Sequence, residues 1–435
     1  MLKPFIIVVW IGNIGDSVVK MNEVKIINQG VENMVYDMHE WNAAEESECL
    51  RLANIPGVGN LSIFRLLEKG KNACGVMKLS EKDILETLDK KSARAFLKAR
   101  EEAPIINPAE FSKKYKMNFI PWTSPQYPER LRYISDPPFA LYVKGELPCE
   151  EVPTVAIIGA RACSEYGKTV AAQFGKQLGA VGVQIISGMA RGIDGIAQKA
   201  ALDINGKSYA VLGCGADICY PPESNVLYEQ LCLKGGVISE YPPGTEAKSG
   251  FFPMRNRIIS GLADLLLVVE ARKRSGTYIT VTRALEQGKD VYVVPGRITD
   301  ALSEGCNFLL SQGAGVAGSP EVLLQALTEQ GGYDYKNALK NMLRPNEDFS
   351  GNGKKTGVQK TDEKSKNDDK TFANGLGRRI LNHLELTPLE LQQIYEAVNR
   401  ESEISYGDFM LEITKMQIAG LIKGEGNYFR LRGAL

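Results

Sequence analysis

The sequence predicts an α/β protein: a Rossmann-like parallel sheet with helices on both faces, flanked by a helical N-terminal domain and a C-terminal winged-helix domain. Two observations predict the sheet. Runs rich in Val, Ile and Leu recur between residues 154 and 294, and a helical pattern of apolar residues separates each run from the next. Because such near-continuous apolar strands are buried on both faces, they indicate a sheet with helices above and below it.

The strands and helices predicted for this central domain, residues 116–330, alternate regularly along the chain. We predict strands at 154–158, 183–186, 208–212, 237–238, 264–269 and 290–294, and helices at 166–180, 191–202, 223–233, 255–262 and 277–287. Right-handed crossovers are expected between successive strands. Parallel strands end at one common edge, where helix N-termini offer unpaired N–H groups to an anion.

The segments before this domain show a different pattern. Residues 1–42 form a poorly patterned extension, and residues 43–115 indicate a domain of short helices. Within it, Gly57-Val58-Gly59 resembles a helix-hairpin-helix or sterile-alpha-motif-like element, which could contact DNA or be an ordinary corner between helices. The stretch 119–145 is rich in proline and aromatic residues, which is typical of an extended connector, and its segment 140–144 could join the sheet edge.

The segments after the central domain are also distinct. Residues 331–372 are mostly polar and charged, which predicts a disordered linker. Residues 373–435 resume an apolar periodicity and end in a glycine-containing hairpin, a pattern typical of a winged-helix domain. Because its third helix is not strongly basic, contact with protein is favoured over contact with DNA.

The composition excludes several classes of function. Lys plus Arg and Asp plus Glu are both 52, so any nucleic-acid surface has to be a local patch. The eight cysteines include no Cys-x-x-Cys pair, which favours reduced thiols in the cytoplasm over a disulfide frame or a metal site. The two histidines, His39 and His383, lie outside the sheet region, which argues against a Ser-His-Asp or Cys-His catalytic site there. The apolar run 4–11 is too short to cross a membrane.

The first two turns of the sheet carry the first candidate residues. Ser187 and Gly188 follow the strand at 183–186 and lead into a helix, which predicts an anion site. In the preceding turn, Arg161 stands where a dinucleotide fingerprint needs its second glycine, so we expect no NAD. Ala162 likewise replaces the first glycine of a Walker A motif, which argues against a nucleotide triphosphatase. Arg161 could bind phosphate with two donors or form a surface salt bridge.

Two further clusters follow later strands. The second combines cations and aromatic side chains before and within a predicted helix: Lys248, Phe251, Phe252, Arg255, Asn256 and Arg257. Arginine near a helix N-terminus opposes the helix dipole, and aromatic rings among cations suit stacked bases and phosphates of single-stranded nucleic acid. We expect one of the two phenylalanines to pack beneath the loop. The third cluster, Arg274, Ser275 and Gly276, could bind a phosphate or nucleotide, or be a capping loop with Ser275 as N-cap.

These motifs occur together, in order and at suitable spacing, and they resemble the bacterial DNA-processing protein A family (DprA, also called Smf). The resemblance covers residues 125–323 and rests on G-x-R at 159–161, SGMARGID at 187–194, SEYPPG at 239–244, FPMRNRII at 252–259, RSGT at 274–277 and VPG at 294–296. It implies a non-enzymatic role without metal or cofactor: binding incoming single-stranded DNA during natural transformation and loading the RecA recombinase on it. By position, the implied DNA contacts are Arg161, Lys248, Phe251, Arg255, Asn256 and Arg257.

The resemblance also implies a homodimer, formed through the last part of the Rossmann-like domain, which would place Leu310 and Val316 near the interface. Two residues depart from the family pattern: Gln198 stands where many members have His, and Pro222 where many have a basic residue. The second departure could weaken DNA binding. An alternative hypothesis is that the same pocket holds a small nucleotide, either as a sensor or as a phosphoribohydrolase-like enzyme.

Overall fold

The computed structural model describes two parts of the chain. It describes residues 24–28, 31–36, 41–330, 376, 379–380, 389–401, 404–405, 409–410, 412–413, 416–417, 422–425 and 428–431. The chain divides into two compact units, Met1–Glu347 and Asp348–Leu435. The predicted linker, residues 331–372, lies outside the described residues.

The first unit begins with a hairpin and six helices. The hairpin pairs β1 (Val24–Asn28) antiparallel with β2 (Val31–Tyr36), in a region where the sequence showed little pattern. The helices are α1 (Ala43–Ala53), α2 (Asn60–Gly70), α3 (Ala73–Met77), α4 (Glu81–Thr87), α5 (Lys90–Glu102) and α6 (Pro108–Tyr115). Five of the six begin after a residue whose side chain accepts a hydrogen bond from the first turn: Asn42, Asn72, Ser80, Asp89 and Asn107.

A nine-stranded sheet forms the centre of this unit. Its strands are β3 (Asn118–Pro121), β4 (Ala140–Gly145), β5 (Thr154–Ile158), β6 (Gln184–Ser187), β7 (Ser208–Val211), β8 (Gly236–Ser239), β9 (Leu265–Val268), β10 (Asp290–Val293) and β11 (Gly315–Val316). Their order is β11-β10-β9-β5-β6-β7-β8-β4-β3. The seven strands from β11 to β8 are parallel, whereas β4 and β3 add antiparallel pairs at one edge. The predicted Rossmann-like α/β sheet is therefore confirmed, and the expected connector supplies two of its strands.

Helices cover both faces of the sheet. They are α7 (Glu129–Arg132), α8 (Glu165–Ala180), α9 (Ile193–Asp203), α10 (Asn225–Lys234), α11 (Phe251–Leu262), α12 (Thr277–Glu286), α13 (Glu304–Ser311) and α14 (Pro320–Glu329). Successive residues of β5 enter different apolar clusters: Val155 and Ile157 pack on one side, and Ala156 and Ile158 on the other. This alternation explains why the strand sequence is apolar throughout.

The strand order defines one special position in the sheet. From β5 the chain builds outward through β6, β7 and β8, and then returns to place β9 on the opposite side of β5. Loops that follow β5 and β9 therefore diverge and leave a crevice at the carboxyl ends of these strands. Ligands of open α/β sheets bind at such a position.

The second unit contains a small antiparallel sheet and a helix. The elements described are β12 (Leu389–Glu390), α15 (Leu391–Glu401), β13 (Ile422–Glu425) and β14 (Tyr428–Leu431), with strand order β12-β14-β13. Buried apolar side chains form its core: Ile380, Ile394, Val398, Phe409, Ile413, Met416 and Ile422. Across the described ranges of both units, every helix is too short or too polar to cross a bilayer.

Candidate nucleic-acid interface

A cavity of about 680 Å³ opens in the crevice between β5 and β9. The loops after these strands and the first turns of α11 and α12 line it, and five of the predicted site residues are among the lining residues: Arg161, Arg255, Asn256, Ser275 and Gly276. A smaller cavity of about 60 Å³ adjoins it and is lined by Gly188, with Arg161 and Arg255 shared between the two. The structure thus brings residues from four separate turns to one place.

Three helices that begin at this edge of the sheet lack a side-chain cap. The helices α9, α11 and α12 begin after Gly192, Gly250 and Gly276, and none of these three has a side-chain cap. In contrast, Ser164 caps α8. Backbone carbonyls accept from some of the first-turn N–H groups: Ile193 and Gly195 donate to Ala160 and Ala190, and Phe251 donates to Lys248. The positive end of each helix dipole favours an anionic ligand at this edge.

Arg161 lies at the mouth of both cavities. Its exposed guanidinium is 5.7 Å from the centroid of the Phe252 ring, over the ring face. Phe252 in turn stacks on Tyr220, with ring centroids 5.3 Å apart and an interplanar angle of 30°. A cation beside stacked aromatic rings is a suitable surface for a phosphate followed by a base.

Arg255 lines both cavities together with Arg161, and it is only 5% exposed. Its Nη1 donates to the Gly188 carbonyl oxygen at 2.9 Å and also to the Val211 carbonyl oxygen. Burial lowers the pKa of Arg255 to about 10; the nearby Asp194 carboxylate opposes this decrease and the Arg161 charge adds to it. The guanidinium therefore stays charged at neutral pH, next to a second cation.

Asp194 is the single carboxylate among the described residues that line the two cavities. Burial raises its pKa, although the Arg255 charge and hydrogen bonds from the Ser187–Ala190 turn oppose the increase. Its Oδ2 accepts from the Gly188 N–H at 3.1 Å, so the carboxylate also holds the turn. Three arginines, Arg161, Arg255 and the exposed Arg272, line the larger cavity with this one buried acid and leave it with an excess of positive charge.

A second aromatic stack lies on the loop before α11. The rings of Tyr241 and Phe251 are 4.2 Å apart at 22°, and Lys248 Nζ lies 5.8 Å from the Phe251 centroid. Lys248 is exposed, and Phe251 and Phe252 are both half-buried. Each phenylalanine ring is stacked on a tyrosine and neither is fully buried, and the expectation that one of them packs beneath the loop stays a prediction.

Arg257 and Ser187, two of the predicted contact residues, have buried side chains that bind the protein itself and line neither cavity. Arg257 is 3% exposed: it donates to both Glu240 carboxylate oxygens, at 2.7 and 2.8 Å, and lies 3.0 Å from the Asp136 carboxylate. Ser187 is buried, and its Oγ donates to the Ile157 carbonyl oxygen at 2.6 Å. The prediction that these two side chains contact DNA is wrong, since neither lines a cavity.

The three residues of the third cluster, Arg274, Ser275 and Gly276, do not all line a cavity. Arg274 is exposed but does not line either cavity, whereas Ser275 and Gly276 do line the larger one. The N-cap of α12 is Gly276 rather than Ser275, so the expected capping role of Ser275 is wrong. Its Oγ is instead a buried oxygen without a hydrogen-bond partner in the described part of the chain.

The predicted interface residues lie elsewhere in the sheet. Val316 is on β11, the edge strand, and is 55% exposed, while Leu310 on α13 is partly buried against the core. Neither residue lines the cavities, which open two strands away.

Gly167 and Lys168, which follow Ala162 in the imperfect Walker A pattern, and Glu270, just after β9, have structural roles. The Glu270 carboxylate after β9 accepts from the N–H and Oγ of Ser164, which fixes the start of α8. A Cβ at Gly167 would lie 2.3 Å from a Glu270 oxygen, so this glycine is needed for close packing. Lys168 pairs with Glu165 on the surface at 2.6 Å. These residues position a helix and do not cradle phosphates.

Gln198, where the family pattern has His, is buried behind the Ser187–Ala190 turn. Its Oε1 accepts from the Met189 N–H at 3.1 Å, and its Nε2 donates to the Tyr209 carbonyl oxygen at 2.7 Å. Gln198 therefore supports the turn by hydrogen bonding. The described residues contain no group of His, Cys, Asp and Glu side chains that could hold a metal ion.

Comparison with known proteins gives concordant matches. A family model described as DNA recombination-mediator protein A matches residues 118–328. DNA processing protein DprA of Streptococcus pneumoniae is 37% identical over 269 residues, which are 62% of this chain and 93% of that protein. Protein Smf of Escherichia coli is 44% identical over 211 residues, or 48% of this chain and 56% of that protein. The X-ray structure of S. pneumoniae DprA has a TM-score of 0.57 at 35% identity and covers 64% of this chain and 97% of that one.

The matched region contains the whole cavity. Residues 118–328 begin at β3 and reach into α14, so they include every strand of the large sheet and every residue that lines the crevice. The match to the S. pneumoniae protein covers nearly all of that protein's length. The chain therefore belongs to the DNA processing protein A (DprA/Smf) family.

Proposed function

We propose that this protein binds single-stranded DNA across the crevice between β5 and β9, without catalysis, and that it loads the RecA recombinase on that DNA during natural transformation. The observation that carries the proposal is that Arg161 and Arg255 share one cavity beside two stacked aromatic pairs. Phosphates would bind the guanidinium groups and the helix N-termini that lack a side-chain cap. Bases would stack on the half-buried rings of Phe251 and Phe252.

Single-stranded DNA fits this arrangement better than a duplex. Exposed aromatic faces can stack only on bases that are free of a complementary strand. The positive charge is local, because the whole chain carries equal numbers of acidic and basic residues. DNA contacts are therefore assigned to Arg161, Lys248, Phe251, Arg255 and Asn256, with Gly188, Ser275 and Gly276 supplying backbone or hydroxyl groups; Arg274 stands nearby at the surface.

A binding titration tests the proposal. We expect labelled oligo-dT to bind more tightly than a duplex of equal length, with an affinity that falls steeply as salt increases. Calorimetry with nucleoside monophosphates should show far weaker binding than oligo-dT. Tight binding of a mononucleotide with no affinity for oligo-dT would instead support the small-nucleotide sensor or enzyme.

The proposed role as a recombination mediator draws on the family description. To test this role, ATP hydrolysis by RecA is measured on single-stranded DNA that is already covered by a single-strand binding protein. We expect this protein to shorten the lag before hydrolysis begins. An unchanged lag, with DNA binding intact, would remove RecA from the proposal and leave DNA binding in place.

We also propose a homodimer through the β11 edge. Val316 exposes an apolar side chain on this strand, and Phe308 on α13 is 43% exposed close by in sequence. Edge strands with exposed apolar residues are ready to pair with a second copy. Val316→Asp should shift the protein from dimer to monomer in sedimentation velocity, while Val226→Asp, on the exposed face of α10, should not. A wild-type protein that sediments as a monomer at all concentrations would contradict the proposal.

The proposed domain organisation keeps the boundaries expected from the sequence. We assign residues 43–115 to a helical unit of the helix-hairpin-helix or sterile-alpha-motif-like class. Residues 373–435 are assigned to a winged helix, with the antiparallel pair β13 and β14 as its wing. Asn60, which follows the Gly57–Gly59 hairpin at the start of α2, donates from Nδ2 to Glu240 Oε2 at 3.2 Å, so this end of the helical unit contacts the central domain.

A further inference from the structure

Arg191 is a fourth arginine at the crevice, in addition to Arg161, Arg255 and Arg272. It lies in the turn between β6 and α9 and lines the smaller cavity with Arg161 and Arg255. Gly192 brings this turn against the Arg161 loop: its φ is 75°, and a Cβ there would lie 2.3 Å from the Ala160 carbonyl oxygen. The backbone thus fixes Arg191 next to Arg161.

Arg191 differs from its neighbours in having an acidic partner. Its Nε donates to Glu223 Oε1, and the two side chains are 66% and 50% exposed. Glu223 lies in the short 3-10 turn Pro222–Ser224, which follows Tyr220 of the first aromatic stack. The hydrogen bond from Arg191 lowers the pKa of Glu223, so the carboxylate is charged at neutral pH.

We propose that Glu223 is an intramolecular competitor of DNA, which occupies Arg191 in the free protein and yields it to a backbone phosphate when a strand enters the crevice. The inference rests on the proposed binding of single-stranded DNA. An exposed ion pair is weak because water screens it, so a backbone phosphodiester, with its negative charge shared by two non-bridging oxygens, can replace the carboxylate.

The arrangement has a functional consequence. While Arg191 is paired with Glu223, the free protein presents less positive charge at the smaller cavity. Anions that bind weakly, such as mononucleotides, have to compete with the Glu223 carboxylate for Arg191. A DNA strand that already contacts Arg161 and the aromatic rings has a high local phosphate concentration and can displace Glu223. Arg191 would then add one phosphate contact only after the strand is seated.

A double-mutant cycle on the full chain tests the proposal, with labelled oligo-dT as the probe and fluorescence anisotropy as the readout. Glu223→Gln should tighten binding roughly two- to fivefold, the range that an exposed ion pair supports. Arg191→Ala should weaken binding and reduce the slope of log affinity against log salt by about 0.7, the loss of one phosphate contact. In the Arg191→Ala background, Glu223→Gln should have no further effect.

The matched control is Asp203→Asn. Asp203 forms an exposed ion pair with Lys199 at 2.5 Å and lies at the far end of α9 from the crevice. Asp203→Asn removes one negative charge, as Glu223→Gln does. The affinity of the Asp203→Asn variant for oligo-dT should equal that of the wild type. A gain by Asp203→Asn equal to that of Glu223→Gln, or a Glu223→Gln gain that persists without Arg191, would overturn the inference. Absence of oligo-dT binding by the wild type would instead contradict the proposed function itself.

Discussion

Arg161→Ala is expected to lower the affinity for oligo-dT by roughly ten- to a hundredfold, because hydrogen bonds to a charged group contribute about 1.5–3 kcal/mol. The substitution removes the cation at the mouth of both cavities and the charge that lies over Phe252. It should also reduce the salt slope by about 0.7. Fluorescence anisotropy at two or more salt concentrations measures both quantities, and the exposed position of Arg161 should leave the thermal midpoint close to that of the wild type.

Two variants separate the local role of Arg161 from its general charge. Lys176→Ala removes an equal charge from an exposed position far along α8, toward the opposite edge of the sheet, and should bind DNA like the wild type. Arg161→Lys keeps the charge but loses the planar set of donors, so an intermediate affinity is expected. Equal losses in Arg161→Ala and Lys176→Ala would show that only net charge matters and would contradict the assigned site.

Arg257→Ala is expected to lower the free energy of unfolding by about 3–5 kcal/mol, the usual effect of removing one partner of a buried ion pair. The Glu240 carboxylate, which is 8% exposed, would lose its two-donor partner, and Asp136 would lose its ion pair. Urea unfolding followed by circular dichroism measures the change. Any loss of DNA binding should follow from the loss of folded protein.

Arg283→Ala is the matched control for this effect. Arg283 pairs with Glu286 at 2.9 Å on the exposed face of α12, so its removal should change the free energy of unfolding by less than about 0.5 kcal/mol. If Arg257→Ala were equally harmless to stability but abolished DNA binding, Arg257 would be a DNA contact and not a structural residue.

The central sheet could be predicted from the sequence because its apolar strand pattern is strong and occurs six times. All six strands predicted from the apolar runs are present, and the crevice follows from their order. The strand β3 was missed because its segment is rich in proline, although an edge strand tolerates a proline at its end. The hairpin β1–β2 was missed since its residues show no clear alternation of apolar and polar side chains.

The site was only partly predictable, because the same residue types serve opposite roles. Arg255 and Arg257 are two positions apart on α11, so they point to different faces, and only the folded chain shows which face carries Glu240. Tyr220 and Tyr241 were not singled out, since nothing in their sequence context shows that a phenylalanine from another turn will stack on them. Both failures arise from contacts between distant parts of the chain.

The apolar core continues from the N-terminal helices into the central sheet. Phe64 of α2 packs edge-on against Trp122, at 5.5 Å, and against Phe139, at 6.1 Å. A shortened chain that began at residue 116 would therefore expose Trp122 and Phe139 to water, and each aromatic side chain of this size buries about 150–250 Å². Such a fragment should self-associate through the uncovered surface, so the helices act as a permanent cover of the sheet rather than as a detachable module.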